Sequence, residues 1–328
     1  MKSLFSLILV LLMATNTYAV TKVNGAGATF PYPMYSKWFS EYNKNNKDVQ
    51  FNYQSIGSGG GIRQLIKQTV DFGASDAPMK ERDMKKAAWP VKHIPTVLGA
   101  VSVAYNLEVD SNLNLDGETL SAIFLGDISK WNDGRIQKLN PSVKLPNKDI
   151  LVVRRADGSG TTSIFSDYLS TVSTKWESKV GRGKSLKWPV GIGSKGNEGV
   201  TATVKQTEGS IGYVELAYAL KNNLPTVALK NKAGEFQKPS VKGVSLSAAS
   251  LKKDAKVTAS IVDAAGKGVY PISAFTYILL PVKEETVQLK EVKKFLQWAL
   301  TKGQDMTEEL HYAPLPTSLA AKMLEEIK

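Results

Sequence analysis

The chain has 328 residues, 42% hydrophobic and 22% charged, a balance that suits two globular domains of middling size and excludes a disordered or membrane-spanning polypeptide. Its formal charge of +12 favours acidic partners or small anions, yet Lys44, Lys47, Lys85, Lys86, Lys252 and Lys253 are spread without a dense run or an aromatic stripe, which argues against nucleic acid. With no cysteine, and with His93 and His311 as the only histidines, there is no disulfide to form and almost no material for a metal site.

Residues 1–19 carry Lys2, an apolar block over residues 4–13 and an exit through Thr17, Tyr18 and Ala19, the pattern of a secretory signal peptide cleaved after Ala19. The block falls short of the about 20 apolar residues that a transmembrane anchor needs. With no N-terminal cysteine to carry a lipid, the expected mature protein is free and soluble outside the cytoplasm.

Next comes NGAGATFPYPMYSKWFSEYNK, in which Thr29 is placed as an N-cap and Pro31 and Pro33 suit a first helical turn. Tyr35, Trp38, Phe39 and Tyr42 form one apolar face, read as core, while Thr29 and Phe30 at the helix start are site candidates. Residues 49–56 alternate as a strand and run into GSGGGIRQLIKQTV (57–70), where glycines after Ser58 bare the amides of a predicted helix. Taken alone, that glycine loop is also ordinary turn punctuation. In DFGASDAP, Asp71 reads as a turn residue and Asp76 falls at a strand end, where ligand-facing residues of open α/β sheets collect.

Residues 94–106 and 270–281 are long extended runs bracketing about half the chain, and they suit two strands crossing between lobes. The expected first domain is therefore discontinuous, residues 20–98 plus 273–328, with residues 99–272 inserted as the second. Inside the insert, residues 115–131 read as helical, and ILVVRRADGSGTTSIF (150–165) reads as a strand delivering the chain to a helix N-terminus. Glycine-bared amides flanked by Ser159, Thr161 and Thr162 make that end an anion site. Arg155 and Asp157, two apart at the strand end, share a face, so Asp157 is expected to orient Arg155 and partly offset its charge. Arg154, on the opposite face, is expected to form a surface or interlobe ion pair. Further on, residues 191–200 read as a loop, 210–219 as a strand passing into a helix, and 225–267 as surface hairpins and loops. Residues 284–302 and 317–327 read as helices.

No catalytic signature is complete. No serine lies in a G-x-S-x-G elbow, Ser178 stands where a P-loop needs its first glycine, and Phe30 and Ile62 replace the third glycine of a dinucleotide fingerprint.

Five motifs, GAGATFPYPMY (25–35), YQSIGSGGGIRQ (53–64), TVDFGASDAP (69–78), VVRRADGSGTT (152–162) and IGYVELAYA (211–219), closely resemble the periplasmic phosphate-binding proteins of phosphate-specific ABC transporters. The likeness runs from residue 24 to 220 and resumes from 270 to 316. It implies the type II periplasmic-binding-protein fold, two mixed-sheet α/β domains joined by two hinge strands and closing over one phosphate ion. It further implies a monomeric periplasmic receptor, with neither cofactor nor metal and no enzymatic activity. Such a receptor binds inorganic phosphate at high affinity and delivers it to an inner-membrane ABC permease and its ATPase.

Carried over motif by motif, the phosphate ligands would be Thr29, the Phe30 backbone, Ser58, Arg155, Ser159, Gly160 and Thr161, with Asp76 as acceptor and Asp157 behind Arg155. Gly59 departs from the family, which often has a second serine there. Three helix N-termini, preceded by Thr29, Ser58 and Ser159, would aim dipole ends and hydroxyls at one point. Asp76 would accept the proton that phosphate bears and sulfate lacks. The rival readings are a secreted phosphohydrolase using Ser58 or Ser159, and a receptor for another tetrahedral oxyanion such as sulfate.

Overall fold

The computed structural model describes residues 20–110, 113–252 and 255–328, and the expected signal peptide lies outside the described residues. Strands are β1 (Thr21–Gly27), β2 (Val49–Ser55), β3 (Phe72–Ser75), β4 (Val91–Tyr105), β5 (Asn114–Leu115), β6 (Leu151–Arg155), β7 (Ile192–Ser194), β8 (Ser210–Glu215), β9 (Ala228–Lys230), β10 (Phe236–Gln237) and β11 (Ser273–Pro281). Eight of them form one mixed sheet in the order β2-β1-β3-β11-β4-β8-β6-β7, and β10-β9-β5 form a small second sheet. The helices are α1 (Tyr32–Asn45), α2 (Ser58–Ile66), α3 (Glu81–Met84), α4 (Gly117–Leu125), α5 (Gly134–Leu139), α6 (Gly160–Val172), α7 (Thr174–Lys179), α8 (Gly196–Gln206), α9 (Leu216–Lys221), α10 (Val241–Ala249), α11 (Val287–Ala299) and α12 (Thr317–Glu326). Among the described residues no helix is long and apolar enough to cross a membrane.

The pairing of β4 explains where a site can form. Strands β2, β1 and β3 are mutually parallel, as are β8, β6 and β7, and the two trios are joined through antiparallel β11 and β4. Residues 91–100 of β4 pair with β11, and residues 101–105 pair with β8. Ser75, ending β3, reaches through Tyr277 to Pro95, while Glu215, ending β8, faces Val101. The carboxyl ends of both trios therefore arrive at the middle of one strand, and loops leaving them face each other. Being covered on both faces, β4 reads in sequence as an almost unbroken apolar run.

Gly99 does not break this strand. The Phe30 ring packs where a Cβ at Gly99 would be, 2.6 Å from the nearest ring atom, so the glycine permits close approach.

Tyr35, Trp38, Phe39 and Tyr42 are buried as read. Phe39 stacks on Phe51 with ring centroids 5.0 Å apart, and both contact Phe295 of α11.

Four local readings are corrected. Helix α2 stops at Ile66, with Gln68 at φ 60°, and does not continue to Val70. Helix α4 spans only Gly117–Leu125, capped by Asp116 and stopped by Gly126 at φ 80°. The predicted loop at 191–200 contains β7 and the start of α8, whose apolar stripe is only Val200 and Val204 and is too thin to register as periodicity. The polar stretch 225–267 is not all surface, because it holds the β9–β10 pair and α10, with Leu229, Val244 and Ala248 buried.

Candidate functional site

Helix α6 begins as its sequence dictates. Ser159 adopts an extended N-cap conformation and its Oγ accepts from Thr162 N at 2.9 Å, while its own N donates to Lys184 O at 2.8 Å. The Gly160 and Thr161 amides, in the first turn, have no acceptor among the described residues. Helix α2 starts at Ser58 itself, because Gly57 at φ 83° occupies the cap position. Gly59 N donates to Gly158 O at 2.7 Å, which joins the two loops across the seam.

The expectation that Thr29 caps α1 fails: Pro31 holds the cap position of a helix that opens at Tyr32. Thr29 Oγ1 instead accepts from Asn197 Nδ2 at 2.7 Å and N at 3.2 Å, and Thr29 O accepts from Tyr218 Oη at 2.7 Å.

Asp76 directly follows β3 and is only 4% exposed. Its Oδ1 accepts from Thr276 Oγ1 at 2.8 Å, Ser58 Oγ lies 3.4 Å from Oδ2, and Asp76 N donates to Ser58 Oγ at 3.2 Å. Burial raises the carboxyl pKa to about 7, against the Thr276 bond, the Arg155 charge and the Ser58 bond. A Cβ on Gly160 would lie 2.3 Å from Ser58 Oγ and 2.4 Å from Asp76 Oδ2, so no other residue lets α6 come this close.

Arg155 and Asp157, read from their spacing as sharing a face, form a bidentate pair. Arg155 Nε donates to Asp157 Oδ1 at 2.7 Å and Nη2 to Oδ2 at 2.5 Å, leaving Nη1 to reach Thr161 Oγ1 at 3.3 Å. Burial pushes the Asp157 pKa up, but the bonds and charge of Arg155 and the Gly196 amide outweigh it, so the net shift is downward and the group is ionised. Asn197 Nδ2 reaches Thr161 Oγ1 at 3.2 Å and closes the chain back to Thr29. Thr29, Phe30, Ser58, Asp76, Arg155, Ser159, Gly160 and Thr161 are all buried; Asn197 and Thr161 link Thr29 to Arg155, Ser58 pairs with Asp76, and Gly160 of α6 packs against that pair, with Asp157 behind Arg155. Arg154 departs from its expected ion pair: it forms none among the described residues, its Nη1 donates to Arg155 O at 3.5 Å, and its Nε is buried without a partner.

Several supporting residues escaped the sequence reading. Asn197 lay in the missed helix α8, and Thr276 is a buried hydroxyl in a largely apolar strand. Tyr213 Oη contacts Thr162 Oγ1 at 2.6 Å and accepts from Arg155 N at 3.2 Å, yet in IGYVELAYA it reads as core.

A family model described as the PBP superfamily domain matches residues 14–302. The phosphate-binding protein PstS of Xylella fastidiosa (strain Temecula1) is 45% identical over 309 residues, spanning 92% of this chain and 84% of that one. The chain belongs to the PstS family of phosphate-binding proteins. The Haemophilus influenzae phosphate-binding protein PstS is 43% identical over 325 residues, 97% of this chain and 96% of its own. A solved structure described as a human phosphate binding apolipoprotein, 20% identical, covers 92% of this chain and 93% of its own at TM-score 0.75, a likeness of fold. The architecture is thus the mixed α/β periplasmic-binding-protein fold that the motifs led us to expect.

Two features surround the site in this PstS-family chain. On the outer side of the Gly59–Gly158 seam lies a groove of about 410 Å³ whose walls carry Arg63, Lys67, Lys80, Lys86, Arg182 and Lys184. Lys184 is half-buried there, and burial together with Lys80 and Arg82 lowers its pKa against the pull of Asp83. A cavity of about 210 Å³ touches Asp76 from another side and is walled partly by residues 258–262, so the polar stretch also contributes to the surroundings of the site. Of the histidines, His93 accepts from Met79 N through Nε2 at 2.9 Å, and burial, then Lys184, lowers its pKa to about 4, while His311 is exposed.

Proposed function

We propose that the protein is a periplasmic receptor that binds inorganic phosphate between two lobes and delivers it to an inner-membrane ABC permease with its ATPase. The observation that carries this reading is Asp76, a buried carboxyl whose two oxygens face the hydroxyls of Thr276 and Ser58. An oxyanion without a proton would meet a repelling carboxylate there, whereas phosphate brings a proton for it to accept. The Phe30, Gly160 and Thr161 amides, the hydroxyls of Thr29, Ser58, Ser159 and Thr161, and Arg155 serve the remaining lone pairs, which matters because dehydrating an oxyanion is costly. Asp157 aims Arg155 and offsets its charge.

The lobes in this reading are residues 20–98 with 273–328, and residues 99–272, closing about the middle of β4. Residues 1–19 act as the signal peptide. Hand-over to a permease is the role implied by the PstS family resemblance. Binding without turnover agrees with the histidines: the Nε2 of His93 is engaged by a backbone amide, and neither ring contacts Ser58 or Ser159 among the described hydrogen bonds.

Calorimetric titration of phosphate-free protein with phosphate and with sulfate tests the reading. We expect tight binding of phosphate and sulfate binding weaker by orders of magnitude. Equal affinities would remove the proton-reading role of Asp76, and sustained release of product from a chromogenic phosphate ester would make the protein a hydrolase.

A further inference from the structure

Glu215 takes no part in the site just described, yet it ends β8 in the motif IGYVELAYA and is wholly buried beside the middle of β4. Its Oε2 accepts from Ala217 N at 2.8 Å and lies 3.0 Å from Tyr312 Oη, and its Oε1 has no hydrogen-bond partner. Tyr312 Oη also lies 2.6 Å from Phe30 O. The segment carrying Tyr312 is anchored to β4 next door, where Leu98 N donates to Ala313 O at 3.0 Å and Ala313 N to Leu98 O at 2.9 Å.

Counting protons decides the state of the carboxyl. A tyrosine hydroxyl has one proton, and a carbonyl oxygen can only accept. The shorter contact takes the Tyr312 proton to Phe30 O, so the contact with Glu215 needs a proton from the carboxyl. An ionised Glu215 would also leave Oε1 as a buried anionic oxygen without a donor, a far heavier penalty than a neutral carbonyl oxygen in the same place. On both counts the proton belongs on Oε2, which can donate to Tyr312 while accepting from Ala217. Burial pushes the Glu215 pKa well above the usual carboxylate range, opposed by the Ala217 and Leu216 amides and reinforced by the charge of Asp76. Tyr312, Tyr218 of α9 and Asp76 after β3 are the titratable groups acting on it, while Gly99 and the Phe30 ring wall its Oε1 side.

We propose that Glu215 is a positioning residue: as the neutral acid it donates to Tyr312, which holds the Phe30 carbonyl and so aims the Phe30 amide at the anion. This rests on the phosphate reading above. With Thr29 O held by Tyr218 and Phe30 O held by Tyr312, the carbonyls on both sides of that amide are tethered, and the first loop is fixed before phosphate arrives. The tether runs from β8 to the loop after β1, so it also ties the order of one half of the sheet to the ligand loop of the other.

Infrared difference spectroscopy at pH 8 between the parent and Glu215→Gln, both without phosphate, reads the proton directly. We expect a protonated-carboxyl carbonyl band in the parent that is missing from the variant. Tyr312→Phe should keep the band but move it to higher frequency, because the acid has lost its acceptor, and should weaken phosphate binding about tenfold. An amide cannot accept from Ala217 and donate to Tyr312 through one atom, so Glu215→Gln weakens binding too, and the double variant loses little beyond Tyr312→Phe. Absence of the band in the parent, an unmoved band in Tyr312→Phe, or losses that multiply in the double variant would each overturn the proposal. The Tyr312→Phe comparison stands even where Glu215→Gln fails to fold. The infrared arm needs no ligand, so a parent that does not bind phosphate counts against the function above and leaves the Glu215 proton decided.

Discussion

Replacing Asp76 with Asn should change stability and selectivity together. The folded carboxyl has a pKa of about 7 against an ordinary value of 3.8. Roughly three units at 1.36 kcal/mol each amount to about 4 kcal/mol, an order-of-magnitude figure for a buried group. Between those two values the folded protein keeps a proton that the unfolded chain gives up. Stability is therefore full below about pH 4, declines as pH rises, and has lost the whole amount once pH passes about 7. Asparagine has no charge to bury and can still accept from Thr276 Oγ1. Phosphate-free Asp76→Asn should thus gain up to about 4 kcal/mol over the parent at pH 8 and nothing from this source at pH 4.

Urea denaturation of both proteins at several pH values from 4 to 8 measures the gap. The same change puts an N–H donor where the carboxylate accepted, so phosphate binding should weaken about 10- to 100-fold while sulfate binding strengthens. A stability gap that stays constant from pH 4 to 8 would show that the carboxyl does not titrate across this range. Unchanged sulfate affinity would refute its role as acceptor.

Gly160→Ala places a methyl 2.3 Å from Ser58 Oγ and 2.4 Å from Asp76 Oδ2 and should lower phosphate affinity at least about tenfold, measured by calorimetry; retained affinity would mean that α6 need not approach so closely. Asp157→Asn leaves the Arg155 guanidinium buried without its counter-charge, and phosphate-free stability should fall by about 3 kcal/mol in urea with phosphate binding weakened as well. A variant as stable and as tight as the parent would strip Asp157 of its orienting role. The basic groove should speed capture: the stopped-flow association rate for phosphate should drop about tenfold from low to high salt, and Arg63→Glu with Lys67→Glu should lower the low-salt rate and flatten that dependence. A rate insensitive to salt would mean that the groove does not steer.

Much of the site was legible because its parts close their hydrogen bonds within a few residues. Ser159 caps Thr162 three residues on and Asp157 pairs with Arg155 two residues back, both from neighbouring residue types. Where local signals misled, a tertiary partner or a thin stripe was responsible. Thr29 has a capping side chain, but Asn197 claims it, and α8 and α10 bury too few apolar residues to show periodicity.

By itself the sequence determined which segments present donors and that no catalytic motif accompanies them, since helix starts and paired side chains are written in adjacent residues. Only the tertiary structure decided that the loops carrying these donors face each other and that Asp76 is buried beside them. The register of β4 brings the carboxyl ends of two parallel trios to the same level. Thr276 then reaches Asp76 from 200 residues away, Asn197 reaches Thr29 from 168, and Tyr312 reaches Phe30 from 282. A pKa raised by burial sums over everything packed around the group, and that sum exists only once strands distant in sequence have paired.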